Sequence, residues 1–150
     1  MRTFTTLAEL EPLVGEHIAD SDWIEVTQER IDLFARATND HQWIHLDLER
    51  AKAGPFGTTI AHGFLTLSLL PEMSASAMEV LDTRMGVNYG LNRVRFPAPV
   101  PAGSRLRGRF RLLRFEPLEG GAQLTFEVRM EREGADKPVC IAESIGRRYL

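Results

Sequence analysis

The densest run of chemistry-bearing side chains is Asp40, His41, Gln42, Trp43, Ile44 and His45. It holds two of the chain's four histidines beside a carboxylate. Free imidazole titrates near pH ~6.5, so it exchanges a proton at neutral pH, and a neighbouring carboxylate can orient it or hold a water. Those are the parts of a general acid–base site. Two plainer readings compete with it. Asp40 can cap a turn while His45 packs or faces solvent, and this spacing of Asp and His arises often by chance. Asp40, His41 and His45 can also be read as metal ligands, but no fourth ligand follows at a recognisable spacing, so no metal is expected.

A second feature is Thr58-Thr59-Ile60-Ala61-His62-Gly63. A strongly apolar helix is predicted to begin here, and its first amides lack intrahelical acceptors. Together with the helix dipole they favour negative charge, including a developing oxyanion. Gly63 permits close approach of a ligand to the backbone, and it equally permits close helix–sheet packing. A third feature is the series Arg93, Arg95, Arg105, Arg107, Arg109, Arg111 and Arg114. On strands such a series is mostly solvated surface, with phosphate or RNA contact as the functional alternative. Few aromatics interleave with these arginines, so base stacking has little support and no nucleic-acid partner is expected.

The elements that would position these groups can be read from periodicity. Thr6 to Leu13 suggests a short helix ended by Gly15, and Trp23, Ile24 and Val26 a short strand. Thr27 is a good N-cap for a helix with Ile31, Phe34, Ala35 and Thr38 on one stripe, and Asn39 tolerates the left-handed conformation at its end. Asp47 can cap a small helix, 48–53, that stops at Gly54-Pro55. Residues 60–70 are apolar on nearly every face, so this helix must be enclosed by protein. It is expected to continue through a kink at Pro71 to about Val80. Leu106, Gly108, Phe110 and Leu112 alternate with arginines, and Leu124, Phe126, Val128 and Met130 alternate with polar residues. Period two with one apolar face predicts antiparallel strands, joined by 88–96 and 139–149. A sheet that must cover its apolar face and a helix that must be enclosed satisfy each other: an α+β fold with an antiparallel sheet around a central helix.

The chain is 150 residues long, the size of one domain, and a single domain spanning 1–150 is expected. Eighteen basic against 21 acidic residues give a net charge of −3, which argues against bulk polycationic binding. One cysteine, Cys140, excludes an internal disulfide framework and reads as a small buried hydrophobe. The first fifteen residues lack a secretory pattern, and the apolar stretch near residues 60–70 is too short to span a bilayer. A soluble cytoplasmic setting without membrane contact is the expectation.

The run Ala37-Thr38-Asn39-Asp40-His41-Gln42-Trp43-Ile44-His45, followed by Ala61-His62-Gly63, resembles the hydratase-2 signature of the MaoC-like dehydratases and (R)-specific enoyl-CoA hydratases. Residues 54–64, including Phe56 and Phe64, and 88–97 resemble the branch that includes nodulation protein N. The resemblance extends over essentially the whole chain. It implies the hot-dog fold, a homodimer with the active site in a tunnel near the interface, and an acyl-CoA thioester as substrate. The implied reaction is hydration of a trans-2-enoyl-CoA to a (3R)-hydroxyacyl-CoA, and its reverse. No cofactor is implied beyond the CoA carried by the substrate.

The family's catalytic aspartate and histidine fall on Asp40 and His45, and the amide that receives the thioester oxygen falls on Gly63. Gln42, His62 and Phe64 are expected to line the substrate, with Arg93 and Arg95 near the CoA phosphates. The common motif Gly-Asp-x-Asn-Pro-x-His is altered: Asn39 replaces the Gly, Gln42 the Asn and Trp43 the Pro. A serine that assists in some bacterial hydratases falls near Pro71, and Ser68 lies one helical turn earlier. A thioesterase of the same fold and a non-catalytic acyl-CoA binding module are the alternatives.

Overall fold

The computed structural model describes residues 1–150. Eight strands and five helices follow one another along the chain. The N-terminal segment forms β1 (Arg2–Phe4), a 3-10 turn (Leu7–Leu13), β2 (His17–Asp20) and β3 (Ile24–Val26). Helix α1 (Gln28–Thr38) begins where the Thr27 hydroxyl accepts the Arg30 amide at 3.1 Å, and ends on Asn39 at φ 58°. Helices α2 (Trp43–Leu46) and α3 (Leu48–Lys52) are short, and Asp47 caps the second through the Arg50 amide.

The expected central helix is two helices, α4 (Gly63–Ser68) and α5 (Leu70–Ala77). The break falls just before Pro71, which lacks an amide hydrogen and cannot continue an α-helical ladder. The helix stops at Ala77 and does not reach Val80. Met78 is extended, and β4 (Met78–Val80) pairs in parallel with β1.

Four long strands complete the molecule: β5 (Met85–Arg95), β6 (Ser104–Leu118), β7 (Gly121–Arg132) and β8 (Cys140–Tyr149). The large sheet runs β2-β6-β7-β8-β5, with β3 also on β6 and every pairing antiparallel. Strand β1 and β2 escape period-two reading because each is three or four residues long and neither alternates cleanly.

The alternation seen in β6 and β7 has its expected meaning. Leu106, Phe110, Val128 and Met130 face inward and join Leu65, Leu69, Met73 and Ala77 from α4 and α5 in one core. Cys140 is fully buried in that core, and burial pushes its thiol up to about 12. A second cluster, including Phe4, Leu10 and Leu124, seals the other end. The arginines between the inward residues are tied to carboxylates: Arg105 to Glu133, Arg107 to Glu131, and Arg109 to Asp20 and Glu131.

One expectation fails. The α4 helix is not enclosed on every face: Phe64 is 72% exposed and Ser68 is exposed one turn on. The exposed face continues onto β5, where Val87, Tyr89 and Leu91 are also exposed. No helix is long and apolar enough to cross a membrane.

Candidate functional site

The left-handed turn at Asn39 ends α1 and releases Asp40 and His41 into an exposed loop. The single turn of α2 then rotates His45 inward, where it is 6% exposed. That turn is held from two sides. The Ile60 amide donates to the Ile44 carbonyl at 3.0 Å, and the Gln28 side-chain amide donates to the His45 carbonyl at 2.8 Å. Gln28 is itself fixed by the Thr59 hydroxyl, which donates to its Oε1 at 2.6 Å.

His45 Nδ1 lies 2.7 Å from the Ile60 carbonyl, which can only accept. Nδ1 therefore carries the proton, and Nε2 keeps a lone pair. Burial lowers the His45 pKa, and nearby His62 lowers it further; the Ile60 bond and Asp40 oppose this without reversing it. The ring is held as a neutral imidazole with a free basic nitrogen.

His62 is 2% exposed and caps the start of α4. Its ring stacks on His45 at 3.7 Å with 23° between planes, and Phe34 covers it at 4.9 Å. His62 Nε2 lies 3.0 Å from the Asp40 carbonyl, so Nε2 is the donor. Its Nδ1 is buried without a partner. The Asp40 carboxylate, His45 and His62 each offer a ligand atom, all within 4.8 Å of one another. His41, which the metal reading included, does not join them.

Two imidazole nitrogens are spent on backbone carbonyls. The other nitrogen of each ring and the Asp40 carboxylate are left to accept hydrogen bonds, as from a shared water, or to ligate an ion.

Gly63 is the first residue of α4. A Cβ there would stand 3.0–3.2 Å from the Phe96 ring, so the absence of a side chain admits that ring. The packing role foreseen for Gly63 is present. Gly63 also lines a cavity of about 270 Å³ with Phe56, Ile60, Thr66, Phe96 and Val100, so an open space reaches the same backbone. The remaining expected site residues are more scattered. Gln42 is exposed at the start of α2. Phe64 points away from the core and meets Phe96 edge-on at 6.3 Å.

Arg93 and Arg95 of β5 line a shallow cavity with Glu127 of β7 and Ile141 and Glu143 of β8, while Val94 between them packs on the core. The Ser68 hydroxyl donates to the Leu65 carbonyl at 2.7 Å within its own helix. Gln28 was not singled out in the sequence, and Thr59 and Ile60 were named for the helix start they precede, not for the bonds they make here. Their contribution depends on contacts 15 to 31 residues apart, for which spacing provides no signal.

Residues 9–132 match the family profile described as MaoC like domain. The chain is 55% identical over 148 residues to 3-hydroxyacyl-thioester dehydratase Z of Mycobacterium tuberculosis, covering 98% of each chain. It is 49% identical over 144 residues to nodulation protein N of Rhizobium leguminosarum bv. viciae, covering 93% of this chain and 89% of that one. Among solved structures, R-hydratase PhaJ1 from Pseudomonas aeruginosa superposes with a TM-score of 0.76 at 25% identity, over 97% of this chain and 86% of that one. The (R)-hydratase from A. caviae involved in PHA biosynthesis shares the fold, with a TM-score of 0.70 at 20% identity.

Proposed function

The chain belongs to the MaoC-like dehydratases, and from that premise we propose that it interconverts trans-2-enoyl and (3R)-3-hydroxyacyl thioesters by adding and removing water. The fold is the hot dog, and the protein is a carbon–oxygen lyase acting on acyl thioesters. One observation carries the site reading: the Asp40 carboxylate and a ring nitrogen of the carbonyl-pinned, neutral His45 come within 4.8 Å of one another.

In this reading the substrate carbonyl accepts the Gly63 amide. Polarisation there makes C3 electrophilic and stabilises the enolate-like transition state. Asp40 and His45 hold one water between them, each accepting one of its protons. The water oxygen attacks C3 as Asp40 takes a proton, and that proton passes to C2 from the same face. The water is thereby divided between C3 and C2, and the site returns to its starting charge. The residues need no redox or metal partner for this step. His62 keeps the Asp40 loop in place through its backbone carbonyl, and its proximity disfavours protonation of His45.

The substrate is a CoA thioester, and the assembly is a homodimer. Support for the second point comes from β5, an eleven-residue edge strand exposed at every position but Val94. A long edge with Val87, Tyr89 and Leu91 exposed invites pairing with a second copy.

The test is a spectrophotometric assay with trans-2-enoyl-CoAs of increasing chain length, following loss of the conjugated thioester absorbance. Absorbance loss without free thiol is the expected result. Thiol release would mark a thioesterase, and binding without turnover would mark a binding module; either overturns the reading.

A further inference from the structure

A second cavity shares no lining residue with Asp40, His45, His62 or Gly63. It lies between α5 and the sheet face that α5 covers, and encloses about 280 Å³. Leu70, Met78, Phe110, Leu124, Phe126 and Val128 form its apolar wall. Its polar lining is Ser74, Asn88, Ser144 and Arg148, with no acidic residue among them.

Several arginines of the sheet, among them Arg93, Arg114 and Arg129, are exposed, whereas Arg148 is half-buried and lines this apolar cavity. Arg105, Arg107 and Arg109 are each paired with a carboxylate, and Arg147 bonds Gln123. The Arg148 guanidinium has neither an ion pair nor a hydrogen bond. Glu79 lines a neighbouring cavity with it, yet the two do not pair. Gly86 lies against the guanidinium: a Cβ at that position would clash with Nη1, and the end of the Arg148 side chain would have to move aside. Gly86 is not in the left-handed region, so space and not backbone conformation calls for glycine there. Burial lowers the Arg148 pKa, but a guanidinium keeps its charge in proteins. An uncompensated cation in a partly desolvated site is costly, and a bound anion relieves that cost.

The cavity adjoins a groove between α4 and β5, with which it shares Leu70, Pro71, Asn88 and Ser144. We infer that it is a binding site for an aliphatic chain ending in a carboxylate, with the chain against the apolar wall and the carboxylate on Arg148. Two sources carry that chemistry: a free fatty acid, or the far end of an acyl thioester. The second source rests on the proposed hydratase reading.

Calorimetric titration of the full chain with octanoate, octanol and octylamine tests the site. Octanoate is expected to bind best and octylamine not at all. Arg148→Met should weaken octanoate at least about tenfold, the usual scale for a hydrogen bond to a charged group. Arg148→Lys should retain part of the affinity. Gly86→Ala, whose methyl displaces the guanidinium from its position, should weaken octanoate as well. Thermal unfolding of each variant shows which are folded. Failure of the wild-type chain to bind octanoate, or unchanged affinity in folded Arg148→Met and Gly86→Ala, overturns the inference.

A kinetic arm separates the sources, using enoyl-CoAs of equal length ending in methyl or carboxylate. A preference of the wild-type chain for the carboxylate end that reverses in Arg148→Met assigns the cavity to the substrate. Octanoate binding without that preference assigns it to a free fatty acid. The titration needs no turnover, so failure to hydrate the methyl-ended substrate bears on the hydratase reading alone.

Discussion

At the scale of the residue, two imidazoles in contact carry different proton assignments because each is pinned by a different carbonyl. His45 gives its Nδ1 proton to Ile60, and His62 gives its Nε2 proton to Asp40. The Asp40 and His45 pair was legible from residue types and family resemblance. The stacked position of His62 was not, because nothing in the order of residues says that positions 45 and 62 share a face. Asp40→Asn keeps the shape of the side chain and removes the base. Hydration should fall by about 100-fold or more, the usual contribution of a positioned acid or base, with unfolding temperature nearly unchanged. Wild-type rates in a folded variant would remove Asp40 from the mechanism. His45 supplies a pH test. Its folded pKa lies below the ordinary 6.5, so the unfolded chain binds more protons between those two values. Stability from this group is therefore full above 6.5 and falls as the pH drops towards the folded pKa. Denaturant midpoints above and below 6.5 should show that fall, and His45→Gln should flatten it.

At the scale of the element, the site depends on where short helices begin and end. Thr27, Asn39 and Asp47 are local signals, each acting within three residues, and their caps stand where the sequence placed them. The long strands were equally legible, since period-two alternation survives in β6 and β7 over a dozen residues. The single turn of α2 carries no signal in the sequence. Four residues cannot show helical periodicity, and tertiary bonds from Gln28 and Ile60 hold it. The end of α5 was misplaced for a similar reason: β4 exists because β1 lies beside it. Gly63 joins packing to chemistry at the start of α4. Gly63→Ala would press a methyl on the Phe96 ring, and overpacking of this kind costs about 1–3 kcal/mol. A lowered unfolding temperature together with lost turnover is the expected outcome. Unchanged turnover in this variant would show that the substrate does not need the space beside Gly63 that the methyl fills.

At the scale of the whole molecule, the sheet has one finished face and one unfinished edge. The core is closed by α4 and α5, while β5, at one edge of the sheet, has ten exposed residues spread over both its faces. Sequence periodicity could not distinguish an exposed edge from a paired one, because apolar residues on β5 satisfy either. Light scattering should give twice the chain mass for the wild type. Val87→Lys, a charge placed on the edge, should shift the protein towards monomer; a monomeric wild type would overturn the proposed assembly. The edge also has a mechanical link to the reaction. Phe96 follows directly on β5, and its ring rests on Gly63. Any slackening of the edge strand is passed through one aromatic ring to the Gly63 amide, the group proposed to receive the substrate carbonyl. Association and turnover are then one observable, and specific activity should decline on dilution in step with the loss of dimer.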